Sequence, residues 1–123
     1  MITPEVLVDT NILIAHLAGQ ERLSVSPSQV GISAITMFEM LSLPGISESE
    51  QTKIRSLLAL MSVFSVTSAV AERASTLART RTKRHVLDLL IAATALELDV
   101  PLVTKNIKDF RNVPGLKVKT TLT

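Results

Sequence analysis

Apolar residues recur along this chain in short blocks whose spacing changes from one block to the next. Val6-Leu7-Val8 is an unbroken apolar run between Pro4 and Asp9-Thr10-Asn11. With no polar alternation, it reads as a parallel strand buried on both faces. Ile12, Leu13 and Leu17 then recur at helical spacing over 11–17, with Asp9 or Thr10 as the N-cap and Gly19 as the stop. Positions 20–29 are polar and turn-rich, and Pro27 breaks any regular element there. Val30-Gly31-Ile32 predicts a second short strand, followed by a helix over 34–43 that Pro44-Gly45 ends. Ser47 with Glu48 and Glu50 supplies a cap and an acidic first turn for a helix reaching 61. Val63-Phe64-Ser65-Val66 reads as a third strand, and 68–79 as another helix. The most apolar helix is expected over 86–98, a fourth strand over 101–104, and an edge strand over 116–118. Strands that alternate with helices, too far apart to be hairpins, predict an α/β fold. The expected architecture is a three-layer α/β/α sandwich around a central, mostly parallel twisted sheet of four to five strands. No repeat, linker or low-complexity tract interrupts it, so 1–123 reads as a single domain.

The composition narrows the chemistry. A chain of 123 residues with 46% apolar content can bury a real core without disulfides or a structural metal. It has no Cys and two His, which excludes Cys nucleophiles, zinc ribbons and haem or iron–sulfur ligation. Carboxylates, hydroxyls, Lys and Arg remain. The longest apolar stretch, 86–100, carries Asp88, Glu97 and Asp99 and falls short of the roughly 18 apolar residues of a membrane span. The first residues lack the basic region of a signal peptide. A cytoplasmic protein without a membrane partner is expected.

Charge is placed unevenly. Residues 1–78 hold four Lys and Arg against seven acids, a balance of −3, whereas 79–123 hold nine against four, a balance of +5. Such a basic end suits a polyanion, with Arg79, Arg81, Lys83, Arg84, Lys105 and Lys108 as candidates to follow an RNA backbone. A solvated basic face is the plainer explanation. His16 and His85 read as surface residues. With Phe38, Phe64 and Phe110 the sole aromatics, base stacking cannot be the main grip on a nucleic acid.

Three acids stand where solvent would not be expected to take them. Asp9 follows the first strand directly. Glu39 lies within Ile35-Thr36-Met37-Phe38-Glu39-Met40-Leu41, and Asp88 within Val86-Leu87-Asp88-Leu89-Leu90-Ile91-Ala92-Ala93. An unpaired buried carboxylate is costly enough to take up a proton, so each needs a cation or water nearby. No Lys or Arg lies within six residues of Asp9 or Glu39. Asp9 ends a strand at its carboxyl edge, the edge where open parallel sheets hold ligands. Thr104 ends another, and after it come Lys105, Asn106 and Asp109. Three or four carboxylates without His or Cys form an all-oxygen donor set, which selects Mg²⁺ or Mn²⁺. The chemistry such a metal suits is hydrolysis of a phosphodiester.

Each of these residues also has a structural explanation. Asp9 can serve as a helix cap, Asp109 as a loop cap, and Thr10 and Asn11 as helix-start packing. Glu39 can be satisfied by Ser33 and Thr36, which line up with it at intervals of three. Thr10 and Asn11 can equally orient Asp9 or bind a metal water, and Thr104 can hold the loop or a phosphate.

Four segments together resemble the PIN-domain ribonucleases, in particular the VapC toxins of toxin–antitoxin pairs. They are Val8-Asp9-Thr10-Asn11-Ile12-Leu13-Ile14, Ile32-Ser33-Ala34-Ile35-Thr36-Met37-Phe38-Glu39-Met40, Asp88-Leu89-Leu90-Ile91-Ala92-Ala93-Thr94-Ala95 and Leu102-Val103-Thr104-Lys105-Asn106-Ile107-Lys108-Asp109-Phe110. They occur in the family's order and span nearly the whole chain. The resemblance implies a PIN-like fold and a Mg²⁺- or Mn²⁺-dependent endoribonuclease that acts on structured, tRNA-like RNA. It implies a homodimer held inactive by a VapB-like antitoxin whose C-terminal segment lies across the site. Asp9, Glu39 and Asp88 match the three central acids, as catalytic and metal-binding residues. The family's fourth acid stands either where Asn106 is or where Asp109 is, and here only Asp109 is acidic. Before Asp88, Lys83-Arg84-His85 replaces the family's commoner Gly or polar turn.

Two other α/β classes fit poorly. A phosphoacceptor receiver wants adjacent acids after its first strand and an Asp after its third, where this chain has Thr67-Ser68. A haloacid-dehalogenase-type phosphohydrolase needs an Asp where Asn11 stands. The remaining alternative is a catalytically silent PIN-like module that binds RNA or a partner.

Overall fold

The computed structural model describes residues 3–20, 25–81 and 85–122. In chain order the elements are β1 (Val6–Val8), α1 (Thr10–Leu17), β2 (Val30–Ser33), α2 (Ala34–Leu41), α3 (Glu48–Leu58), β3 (Ser62–Phe64), α4 (Ser68–Arg79), α5 (Val86–Leu98), β4 (Leu102–Val103), α6 (Ile107–Phe110) and β5 (Val118–Lys119), with a 3₁₀ turn at Pro27–Gln29. The five strands form one sheet in the order β3-β2-β1-β4-β5, and every pairing is parallel.

The alternation of side chains along each strand divides the core into two layers. Val6 and Val8 of β1, Val30 and Ile32 of β2 and Val103 of β4 face one way, onto Ile12 and Leu13 of α1, Met40 of α2 and Ile54, Leu57 and Leu58 of α3. Leu7 and Leu102 face the other way, onto Val70, Ala74 and Leu77 of α4, Leu89 through Ala95 of α5, and Phe110 of α6. Both faces of the sheet are covered, which is why the central strands carry no polar alternation. The three-layer sandwich is the expected one, and the sheet is parallel throughout the described residues. Gly31 is required by close packing, since a Cβ there would stand 2.8 Å from the Phe64 ring and 2.9 Å from the Pro4 ring.

Strand order fixes where the chemistry gathers. From β1 the chain crosses to β2 and β3 on one side, then returns to β4 and β5 on the other. The order therefore reverses between β1 and β4, and the crevice beyond their carboxyl ends is the binding place of open α/β sheets. Val8 pairs with Val103, and Asp9 N donates to the Val103 carbonyl at 2.9 Å. Asp9 and Thr104, next along each strand, are thereby delivered side by side.

The helices α4 and α5 have the expected bounds. α2 and α3 end two and three residues earlier than the apolar spacing predicts, at Leu41 and Leu58. The reason is that Leu43, Ile46 and Met61 pack onto the core from the loops, so the apolar pattern outlasts the helices. Ser47 caps α3 in a full capping box with Glu50. α6 was not expected, and β3 and β5 lie at 62–64 and 118–119 rather than 63–66 and 116–118.

Candidate active site

Asp9 is 5% exposed, and its carboxylate is held by three donors. Oδ1 accepts from Thr10 N at 2.8 Å. Oδ2 accepts from Asn11 Nδ2 at 3.1 Å and from Thr104 Oγ1 at 2.9 Å. Three of its roughly four lone-pair positions are thus occupied by described residues, and the remaining one is on Oδ1. Thr10 N is the helix-cap contact the sequence suggests. Capping and site roles coexist, because different oxygens serve them.

Thr104 is fully buried and its hydroxyl is saturated. It donates to Asp9 and accepts from Asn11 Nδ2 at 3.2 Å and Asn106 N at 3.0 Å. No capacity is left for a phosphate, so Thr104 orients Asp9 and holds the loop. Asn11 completes the clamp, since its Oδ1 accepts from Lys105 N at 2.9 Å. This fixes the orientation of the amide, because a flip would set its oxygen against the Asp9 carboxylate. Asn106 contributes its backbone N–H, and its side chain makes no cap to α6.

Glu39, half-buried on α2, accepts a short hydrogen bond of 2.7 Å at Oε1 from Thr10 Oγ1. The network with Ser33 and Thr36 does not form. Ser33 Oγ accepts from Ile35 N at 3.0 Å as the cap of α2, and Thr36 Oγ1 is buried with no partner among the described residues. A buried unpaired hydroxyl costs about 1–3 kcal/mol. Thr36→Val, which keeps the shape and removes the hydroxyl, is therefore expected to raise stability by about 1 kcal/mol, read as a higher urea midpoint at unchanged slope.

Asp88 stands in the first turn of α5, half-buried. That position has a local reason the sequence also contains, since the helix N-terminus favours an anion there. Its carboxyl is nonetheless pushed above the usual carboxylate range. Burial is the largest cause, followed by the negative charges of Asp9 and Asp109; His85 acts in the opposite direction, and Glu39 adds the least. These acids from four elements therefore share one electrostatic neighbourhood. Asp109 is exposed on α6 and belongs to it.

The basic candidates divide. Arg79, Lys105 and Lys108 are exposed. Arg81 is tied to the fold, with Nη2 donating to the Asn112 carbonyl at 3.3 Å. Lys83 and Arg84 lie outside the described residues. His16 is half-buried rather than on the surface, and its Nδ1 is buried without a described partner. The residue that sequence reasoning underweighted is Thr10. Its place between Asp9 and Asn11 was the signal available, but its bond to Glu39 spans 29 positions.

Arg73 and Glu97 form an ion pair at 2.6 Å between α4 and α5, away from the four acids. As placed, no three His, Asp or Glu side chains among the described residues are grouped closely enough to hold a metal ion together. The donor chemistry is what fits a hard, hydrated cation better than zinc, because Mg²⁺ takes one or two carboxylates and keeps most of its waters. The donors here are all oxygen.

The fold and the site together define a parallel α/β sandwich with carboxylates gathered at its switch point. The PIN domain family matches over residues 6–116, and this chain belongs to it. It is 34% identical over 122 residues to Ribonuclease VapC10 of Mycobacterium tuberculosis, covering 91% of this chain and 90% of that protein. Ribonuclease VapC19 of the same species is 30% identical over 122 residues, covering 90% and 96%. Among solved structures, a chain of a toxin-antitoxin complex from Klebsiella pneumoniae superposes with a TM-score of 0.74 at 31% identity, covering 94% of this chain and 96% of that one. DNA-bound VapBC from Salmonella typhimurium shares the fold, with a TM-score of 0.79 at 22% identity over 94% and 97%. No helix among the described residues is long and apolar enough to cross a membrane.

Proposed function

We propose that this chain is the ribonuclease toxin of a type II toxin–antitoxin pair, a Mg²⁺- or Mn²⁺-dependent endoribonuclease acting on structured, tRNA-like RNA in the cytoplasm. The observation that carries the reading is that Asp9, Glu39 and Asp109 lie within electrostatic reach of Asp88 beside the switch point, with Thr10 bonded to both Asp9 and Glu39. Kinship with proteins named Ribonuclease VapC supports it.

Asp9, Glu39, Asp88 and Asp109 are the residues that would hold the metal. When bound, a divalent cation supplies a Lewis acid that eases deprotonation of water and offsets charge on the phosphate. The protein's own part is orientation. Asn11 and Thr104 fix Asp9 with its free Oδ1 position available, and the same pair ties the 104–106 loop, which leads to Asp109, against α1. No side chain of this site is a nucleophile. Exposed Arg79, Lys105 and Lys108 supply attraction for the RNA backbone, which weakens as salt rises. Apolar Val86 and Leu87, 59% and 42% exposed just before Asp88, offer surface for a VapB-like antitoxin to cover while it blocks the site. A homodimer completes the proposed assembly.

Cleavage of a folded tRNA transcript tests this directly. Cutting is expected in Mg²⁺ or Mn²⁺, with loss in EDTA, recovery on adding the metal back, and inhibition by the antitoxin encoded beside this chain. Cutting that persists in EDTA would refute the metal role. Binding of RNA without cleavage under any metal would favour the silent module instead.

A further inference from the structure

Thr10 hydrogen-bonds to two of the four acids. Its backbone N–H donates to Asp9 Oδ1 at 2.8 Å, and its hydroxyl donates to Glu39 Oε1 at 2.7 Å. The second bond joins the first residue of α1 to the middle of α2. Neither of the hydroxyls nearest to it on its own helix shares that role. Ser33 is engaged in capping α2, and the Thr36 hydroxyl has no partner among the described residues. A glutamate carries several rotatable bonds, and ordering it costs about 1.5–2 kcal/mol of rotamer entropy. A short bond to the ionised form supplies that ordering before any ligand arrives. Thr10 is itself well ordered, as a β-branched residue in the first turn of a helix.

We propose that Thr10 is a positioning residue for the divalent-cation site, its hydroxyl setting the rotamer of Glu39 and the stance of that carboxylate relative to Asp9. This rests on the metal-dependent reading above. Thr10 acts through Glu39 and does not touch the reacting phosphate. The backbone bond to Asp9 does not depend on the side chain, so Thr10→Val removes the hydroxyl while keeping the Asp9 contact, the branching and the size.

The test is calorimetric titration of Mn²⁺ into the purified full chain without RNA, for the parent, Thr10→Val, Thr10→Ser, Glu39→Gln and the Thr10→Val/Glu39→Gln double variant, each checked for folding by circular dichroism. Loss of a partner that orients a metal ligand weakens binding about 10-fold to 100-fold, and about 10-fold is expected for Thr10→Val. Thr10→Ser is expected within about twofold of the parent. In the Glu39→Gln background Thr10→Val should cost nothing further, because two changes on one path do not add. A purely structural contact would lower the melting temperature and leave the Mn²⁺ affinity of the folded protein alone. Parent-like affinity in Thr10→Val, or losses that multiply in the double variant, would overturn the proposal while the metal-dependent reading stands. A parent that neither binds Mn²⁺ nor cleaves RNA would overturn both.

Discussion

Asp9→Asn is expected to abolish RNA cleavage, lowering the rate by about 10³-fold or more, and to destabilise the protein as well. The first effect follows from the several kcal/mol that a Lewis acid contributes to a phosphoryl transition state, each 1.36 kcal/mol being a factor of ten. The second follows from the hydrogen bonds. Asp9 accepts from Thr10 on one oxygen and from Asn11 and Thr104 on the other. An amide has one accepting atom, so Asn in either orientation sets an N–H against at least one of those donors. Turning its oxygen toward Asn11 and Thr104 keeps two bonds and sacrifices the cap to Thr10. The loss is about 1–2 kcal/mol. Relief of charge repulsion offsets part of it, since carboxylates at a solvent-facing rim repel by about 1 kcal/mol or less. From the sequence alone, a lone acid in a negative cluster suggests that Asp9→Asn would leave folding intact or improve it. The three donors reverse that expectation. Single-turnover cleavage and urea unfolding in EDTA check the two effects separately. Parent-like cleavage would remove Asp9 from the reaction, and an unchanged urea midpoint would contradict the hydrogen-bond account.

What could be read in the sequence depended on how far apart the cooperating residues lie. Val6–Val8, Ser68–Arg79 and Val86–Leu98 are legible because apolar spacing and punctuation coincide at their ends. The ends of α2 and α3 are not, because Leu43 and Met61 serve the core without being helical. α6 holds four residues, too few for any periodicity to register. The acids were legible one by one, as charges set in apolar windows, and their convergence follows from the strand order that places β1 beside β4. The hydrogen bonds among them were not. Whether Glu39 bonds to Ser33, six residues back at the cap of its own helix, or to Thr10 depends on how α1 packs beside α2, which no local pattern encodes. Thr104 shows the same limit. A threonine at a strand end is compatible with binding a phosphate until its hydroxyl is seen to be filled by Asp9, Asn11 and Asn106.

Asp88→Asn is expected to match Asp9→Asn in activity, with about 10³-fold slower cleavage, and to differ from it in the sign of the stability change. No hydrogen bond from a described residue supports the Asp88 carboxylate. Burial and three neighbouring acids raise its affinity for a proton. In the unfolded chain Asp88 loses its proton near pH 4, whereas in the folded protein it does so at higher pH. Between those two values the folded state binds more protons, so stability falls as pH rises through the window, and at neutral pH the fold carries a charge it accommodates poorly. Asn removes that burden, for a gain of a few tenths to about 1 kcal/mol once screening at the rim is allowed for. Divalent cations act in the opposite direction on the parent, favouring ionised Asp88 and stabilising the folded state by mass action. Melting curves of the parent and Asp88→Asn, recorded from about pH 4 to neutrality with and without Mg²⁺, should therefore diverge in EDTA as pH rises, with the variant the more stable. Mg²⁺ should raise the parent's melting temperature most at neutral pH and least near pH 4, and raise that of the variant little at any pH. Titrating groups remote from Asp88 cancel in the difference, whereas Asp9, Asp109 and Glu39 titrate coupled to it and remain part of the effect read. Parallel curves in EDTA would show that Asp88 is not strained by its neighbours, and an equal Mg²⁺ response in both proteins would place the cation elsewhere.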